Sequence, residues 1–240
     1  MAIERSVTVY DGPDGPFEGM AVADTDWDAP RPGVMVVPNV LGTKEADFQT
    51  AERVVGLGYA AFVADLYGQG NRATREDDDP ARFMNDLNAD RALLRDRLHA
   101  SLAAMQALDS VDAERLAAIG FCFGGKSVLD LARSGAEVRG VVSFHGIYDP
   151  PPFANADTIP AKILVCHGWD DPLAPPEAVT TLAVELTGAG VDWQIHAYGH
   201  TGHAFTDKSA KMPERGLAYQ PDADRRSWRA MTDFLGEVLS

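Results

Sequence analysis

Gly120-Phe121-Cys122-Phe123-Gly124-Gly125 is the stretch that decides how this chain is read. The apolar run Leu116 to Ile119 leads into it, and a helix-like run, Lys126 to Ala132, leaves it. The pattern predicts a strand, a sharp turn and a helix, with a thiol at the apex. Such a turn imposes strained dihedrals on the apical residue, so its neighbours must be small. Gly120 and Gly124, two residues either side of Cys122, supply that room. A helix starting behind the turn aims backbone N–H groups and its positive dipole end at the sulfur. That setting lowers a thiol pKa and offers donors to a developing oxyanion. The competing reading is a buried cysteine acting as a small hydrophobe.

Outward from this turn, strand and helix patterns alternate along the chain. Ser6 to Tyr10 and Phe17 to Ala23 read as opening antiparallel strands joined by Asp11-Gly12-Pro13-Asp14-Gly15. Val34 to Val37 and Tyr59 to Ala64 read as buried strands, with a helix from Lys44 to Leu57 between them. Gln69 to Pro80 is a polar loop, and Ala81 to Leu108 reads as one long helix. Beyond the turn come strand Val138 to Phe144, a proline-rich loop at Asp149 to Pro152 and strand Lys162 to Cys166. Helix Pro176 to Leu186, strand Asp192 to Tyr198 and a final helix, Asp224 to Val238, complete the chain. Short apolar strands with intervening helices indicate an α/β protein: a mostly parallel, doubly wound sheet with helices on both faces. The 240 residues fit a single domain, 1–240.

Composition narrows the function. A formal net charge of -15 argues against nucleic acid and anionic membrane surfaces as partners. No run reaches the length of a membrane span, and the N-terminus lacks a signal-peptide pattern. There are two cysteines, Cys122 and Cys166. A catalytic Cys122 cannot remain in a disulfide, which points to the reducing cytoplasm. No Cys/His set has structural zinc spacing, and no metal or cofactor is expected.

A nucleophilic thiol needs a base, and the base needs an orienting acid. Strand Lys162 to Cys166 runs into His167-Gly168-Trp169-Asp170-Asp171-Pro172, so an aspartate sits just past a strand's carboxyl end, where catalytic groups of open α/β sheets collect. Asp171, whose outgoing chain is directed by Pro172, is favoured over Asp170. The next strand ends in Gly199-His200-Thr201-Gly202-His203-Ala204-Phe205. His203, beside the apolar Ala204-Phe205, is the candidate base and His200 its rival. His145 and His167 read as histidines hydrogen-bonded at the carboxyl edge of the sheet. Candidate oxyanion donors are the N–H of Phe123 and, from the loop after Val34 to Val37, that of Val40. Tyr67, Phe123, Tyr148, Trp169 and Phe205 are candidate pocket walls, Trp169 and Tyr67 foremost, and Arg72, Arg75 or Arg82 is a candidate substrate cation.

At this point the chain resembles the dienelactone hydrolase family of the α/β-hydrolase superfamily. The resemblance rests on Gly58-Tyr59-Ala60-Ala61 running to Asp65-Leu66-Tyr67, on the Gly120 to Gly125 turn, on His167-Gly168 through Asp171-Pro172 to Pro175, and on Gly202-His203-Ala204-Phe205. It implies an α/β-hydrolase fold and a triad of Cys122, Asp171 and His203. It also implies hydrolysis of a small-molecule ester or lactone without cofactor, through a thioester acyl-enzyme. Alternatives on the same fold are a thioesterase or acyltransferase, and a non-catalytic thiol-sensing or binding protein. Two positions depart from the family pattern. Asn39 stands where a glutamate is expected beside the nucleophile, and Asp207 where an arginine would bind a substrate carboxylate. An amide neither takes a proton nor carries charge, and an aspartate repels an anion, so an anionic dienelactone is not the expected preferred substrate.

Overall fold

Tyr10 and Phe17 face each other across the first strand pair: β1 (Ile3–Tyr10) lies antiparallel to β2 (Phe17–Asp24) in a computed structural model that describes residues 2–240. The chain divides into two compact units, one ending at Ala118 and one starting at Ile119. In the first, β3 (Arg31–Val37) runs parallel to β4 (Ala60–Val63), β4 pairs antiparallel with β2, and the strand order is β1-β2-β4-β3. The Val34–Val37 run and all four residues of β4 are buried, as expected of strands covered on both faces.

Helices lie on both faces of this unit. Arg5 of β1 reaches Glu45 and Glu52 of α1 (Glu45–Val55). Tyr10, which points to the opposite face of the same strand, meets Ser101 of a helix on the other side. That helix is the second of two where one was expected. Ala81 to Leu108 forms α2 (Arg82–Ala89) and α3 (Arg91–Gln106), broken at Asp90. The Asp90 carboxylate accepts the Leu93 N–H at 2.9 Å, and a residue that caps a new helix in this way leaves the preceding one. β5 (Val111–Phe121) carries the chain into the second unit.

In the second unit the cysteine turn starts α4 (Phe123–Arg133). The strands β6 (Gly140–Phe144), β7 (Lys162–Gly168) and β8 (Trp193–Tyr198) follow in parallel, with Phe144 opposite Cys166 and Gly168 opposite Tyr198. A side chain on Gly125 of α4 would press on the Phe144 carbonyl and Ser143, while one on Gly140 would press on Phe234 and Val238 of α6 (Pro221–Val238). Residues 140 and 143 point to opposite faces, so α4 and α6 cover the two sides. Buried Arg133 fastens the far end of α4: its guanidinium makes two hydrogen bonds, at 2.8 and 2.7 Å, to Glu185 of α5 (Pro176–Gly188) and one to the Tyr148 carbonyl. A forked pair of this kind fixes direction as well as distance. Between β8 and α6, the two-residue strands β9 (Lys211–Met212) and β10 (Leu217–Ala218) form a small separate ribbon that the sequence reading did not anticipate. Among the described residues, no helix is long and apolar enough to cross a membrane.

Candidate active site

Cys122 sits at the β5–α4 turn with φ 55° and ψ -113°, a combination that costs a non-glycine residue about 1–3 kcal/mol unless its surroundings impose it. The surroundings are tight. A Cβ on Gly120 would overlap the Gly124 carbonyl, so the strand can pass the first turn of the helix only as glycine. The Cys122 N–H donates both to the Phe144 carbonyl at 3.0 Å and to Nδ1 of His145 at 3.1 Å.

The carboxyl ends of β7 and β8 bring the other two candidates to the sulfur. His203 Nε2 lies 3.1 Å from Cys122 Sγ, and His203 Nδ1 lies 2.8 Å from Asp171 Oδ2. Asp171 is itself held, its Oδ1 accepting the Leu173 N–H at 2.8 Å. A side chain on Gly168 would collide with the carbonyls of Thr201 and Gly202, and one on Gly202 with that of Gly216. These close backbone approaches explain the glycines beside both candidate residues. The small ribbon completes the frame: the His203 N–H donates to the Gly216 carbonyl at 2.7 Å, and the His203 carbonyl accepts the Ala218 N–H at 3.2 Å.

The electrostatics favour a protonated imidazole at His203. Burial works to lower the His203 pKa, but hydrogen bonds to Asp171 and to the Cys122 sulfur outweigh it and push it up to about 10. The sulfur remains partly open to solvent, while Asp171 and His203 are buried. Cys166 differs from Cys122: full burial drives its thiol up to about 12, leaving it un-ionised and inert. The rival pair stays in solvent. The His200 side chain is fully exposed and stands 4.0 Å from an exposed Asp170.

The remaining predicted residues separate by environment. Trp169, 45% exposed, is available as a pocket wall. Phe205 requires correction as a pocket wall. It is fully buried, its ring edge-on to His145 at 5.0 Å and to Tyr198 at 5.6 Å, so it packs against those rings and faces no solvent. Phe123 is also buried in the core, leaving its backbone as the only part with a claim on an oxyanion. In the first unit, Asn39 folds back on its own turn, Oδ1 accepting the Leu41 N–H at 3.1 Å. The Tyr67 hydroxyl donates to the Val40 carbonyl at 2.9 Å, and its ring stacks on Phe83. Arg82 is ion-paired with Asp77 at 2.7 Å and lies over the Phe83 ring, so its charge is already matched from the loop that precedes α2. Asp207 accepts the N–H and the hydroxyl of Ser209. Among the described residues, no group of three or more His, Cys, Asp or Glu side chains is arranged to hold a metal ion.

Sequence reasoning under-read three side chains. His145 Nε2 pairs with Thr206 Oγ1 at 2.8 Å, so one imidazole bridges the cysteine turn and the His203 loop. Tyr148 Oη meets His167 Nδ1 at 2.9 Å in the buried layer beside Asp171. For the two histidines the available signal was position at a strand end, and for Tyr148 its aromatic character; their partners come from other elements.

Burial keeps His145 and His167 neutral, with His203 reinforcing the effect on His145 and Asp171 opposing it on His167. This has a consequence for stability. An unfolded histidine takes up a proton near pH 6.5, whereas these two resist it when folded. The unfolded chain therefore binds more protons below that pH, and stability falls as pH drops from 6.5 toward the lowered folded values. His203, whose folded value is raised, pulls the other way near pH 6.5, where its unfolded form is only half protonated, and ceases to add slope about one pH unit lower. Each buried neutral histidine contributes up to about 1.4 kcal/mol per pH unit. Urea midpoints measured from pH 7.5 to 5 should decline steeply below 6.5; a flat profile would contradict neutral burial.

A parallel sheet with a thiol at a strand–helix turn, and an aspartate and a histidine brought to it from later strand ends, is the arrangement of an α/β-hydrolase. The dienelactone hydrolase family model matches residues 17–239, and the chain belongs to that family. It is similar to a dienelactone hydrolase-like promiscuous phosphotriesterase from metagenomic libraries, with 36% identity, TM-score 0.94 and 100% of each chain covered. It also resembles a Synechocystis protein named "Putative carboxymethylenebutenolidase", 27% identical over 82% of each chain. A Caenorhabditis elegans protein of no stated activity is 34% identical over 61% of this chain and 95% of its own. The protein is a dienelactone hydrolase-like hydrolase acting on ester or lactone bonds.

Proposed function

We propose that this hydrolase cleaves small, uncharged carboxylic esters or lactones through Cys122 as nucleophile, His203 as acid and base, and Asp171 as the group that orients His203. The observation that carries the proposal is the unbroken line of contacts from Asp171 Oδ2 through both nitrogens of His203 to the Cys122 sulfur, at 2.8 and 3.1 Å. The thiolate attacks the carbonyl carbon, forming a C–S bond and placing the carbonyl electron pair on oxygen. The Phe123 N–H, at the positive end of α4, stabilises that oxyanion. The Val40 N–H is the proposed second donor, from its place in the chain just after β3; one such donor is worth roughly 3 kcal/mol of barrier. Collapse breaks the C–O bond, and the His203 imidazolium gives its proton to the departing alkoxide. In a lactone, that alcohol stays attached to the acyl group. His203, now neutral, takes a proton from water as the water attacks the thioester. The second collapse releases the carboxylic acid and restores the thiolate.

The family match at 17–239 runs through both compact units, which supports 1–240 acting as one α/β-hydrolase domain. Dependence on a free thiol supports a reducing compartment such as the cytoplasm. Mass spectrometry of enzyme quenched during turnover of an aryl ester tests the mechanism. The acyl mass should appear on the Cys122 peptide and be removed by hydroxylamine; turnover with no acylated Cys122 would overturn it. Added alcohol or thiol acceptors in the same reaction would reveal acyl transfer. A second reading, cleavage of a neutral phosphotriester by the same thiolate, is favoured by the full-length likeness to the metagenomic phosphotriesterase. Nitrophenol release from a diethyl aryl phosphate tests it.

Substrate charge supplies a further expectation. Asp207, the net charge of -15 and the matched charge of Arg82 all disfavour a carboxylate-bearing substrate. The kcat/KM for a neutral methyl ester of a dienelactone should exceed that of the free acid by about tenfold, and the gap should narrow in high salt. Equal values would overturn this preference.

A further inference from the structure

The geometry points to His145 as a positioning residue: a neutral imidazole that accepts the Cys122 N–H on Nδ1, donates from Nε2 to Thr206, and so locks the cysteine turn to the loop bearing His203. The inference rests on the reading of Cys122 as nucleophile, but it concerns a residue outside the triad.

The hydrogen bonds define the tautomer. A backbone N–H can only donate, so His145 Nδ1, 3.1 Å from Cys122 N, must be unprotonated. The single ring proton is then on Nε2, where Thr206 Oγ1 accepts it at 2.8 Å. Thr206 lies three residues after His203 on the same loop. His145 itself is firmly placed. It is buried, its own N–H donates to the Cys166 carbonyl at 2.9 Å, and Phe205 packs against its ring. Its φ of 38° is itself unusual, so two residues in sparsely populated backbone regions hold each other through one hydrogen bond. The His203 ring meets that of His145 edge-on at 5.2 Å. An uncharged His145 avoids placing a second cation beside the imidazolium of the working pair. It also keeps the Cys122 peptide oriented while charge develops one residue further on, at the Phe123 N–H.

The two ring nitrogens can be separated by substitution. In His145→Asn the amide oxygen can occupy the Nδ1 position, and asparagine tolerates positive φ. His145→Gln places its amide near the Nε2 position and offers nothing to the Cys122 N–H. The expectation is that His145→Asn, which keeps the Cys122 contact but gives up the Thr206 one, loses about threefold in kcat, whereas His145→Gln loses about tenfold or more in kcat with KM within twofold, in line with the cost of misplacing a reacting group. Thr206→Val, which leaves the imidazole in place but removes the same contact from the other side, should lose the same factor of about three in kcat, and Thr206→Ser should restore it. The rate of Cys122 alkylation by iodoacetamide should fall in the same order. This second measurement needs no ester turnover. If Cys122 proves not to be the ester nucleophile, the alkylation order still tests His145. Equal kcat and equal alkylation rates in folded His145→Asn and His145→Gln proteins, or a Thr206→Val protein with unchanged rates, would overturn the inference.

Discussion

Cys122→Ala should lower ester turnover by about ten-thousand- to a million-fold, the range seen when a covalent nucleophile is removed from a working triad. The residue is small and partly exposed at the apex of its turn, so its loss leaves little cavity and the melting temperature should move by only a few degrees. Cys166→Ala is the matched control. That thiol is buried within β7, held un-ionised by its surroundings, and its replacement should leave turnover intact. Iodoacetamide should label the wild-type protein once, on Cys122, with loss of activity in step with labelling. Retention of even a tenth of wild-type turnover by Cys122→Ala would show that the sulfur does not form the intermediate. The residual rate of a true nucleophile variant should reflect only binding and the oxyanion donors.

Asp171→Asn should cost about a thousand- to ten-thousandfold in kcat, for a reason that separates charge from structure. The amide keeps an oxygen for the Leu173 N–H, which Asp171 Oδ1 accepts at 2.8 Å, so the loop should hold its shape. The other position then presents NH2 to His203 Nδ1. That nitrogen becomes an acceptor, the ring proton moves to Nε2, and His203 can no longer take a proton from the thiol or from water. The same change withdraws one of the two hydrogen bonds that raise His203 to about 10. In the wild type, a protonated His203 is needed to release the alcohol, so the alkaline limb of the pH profile should approach pH 10. In Asp171→Asn it should move to lower pH by a unit or more. A variant with reduced kcat but an unmoved alkaline limb would assign Asp171 a structural role alone.

These expectations came partly into view from the chain itself. The Cys122 turn was legible because its constraints are local: a residue at such a bend excludes side chains two positions away, and Gly120 and Gly124 satisfy that within five residues. The alternating strands were legible because burial on both faces demands continuous apolar runs such as Val34 to Val37. Strand ends drew attention to the Asp170-Asp171 and His200 to His203 segments, in which Asp171 and His203 were the favoured candidates and Asp170 and His200 their rivals. The break at Asp90 was less visible, since Ala, Leu and Arg on either side have the same helical propensity and only the cap divides them.

Distance in space was hidden where distance in sequence is large. Cys122 and His203 are 81 residues apart, and no local pattern states that their side chains meet at 3.1 Å. The burial of Phe205 against His145, the pairing of Arg82 with Asp77 and the anchoring of the His203 loop by β9 and β10 depend on which elements fold against one another. So does the tautomer of His145, selected by a backbone N–H on one element and a hydroxyl on another. Local stereochemistry wrote the turn, the strands and the chemical type of each candidate into the chain. Charge state, exposure and hydrogen-bond partner arise only when remote segments pack, because burial and electrostatic coupling belong to the assembled neighbourhood and not to any residue alone.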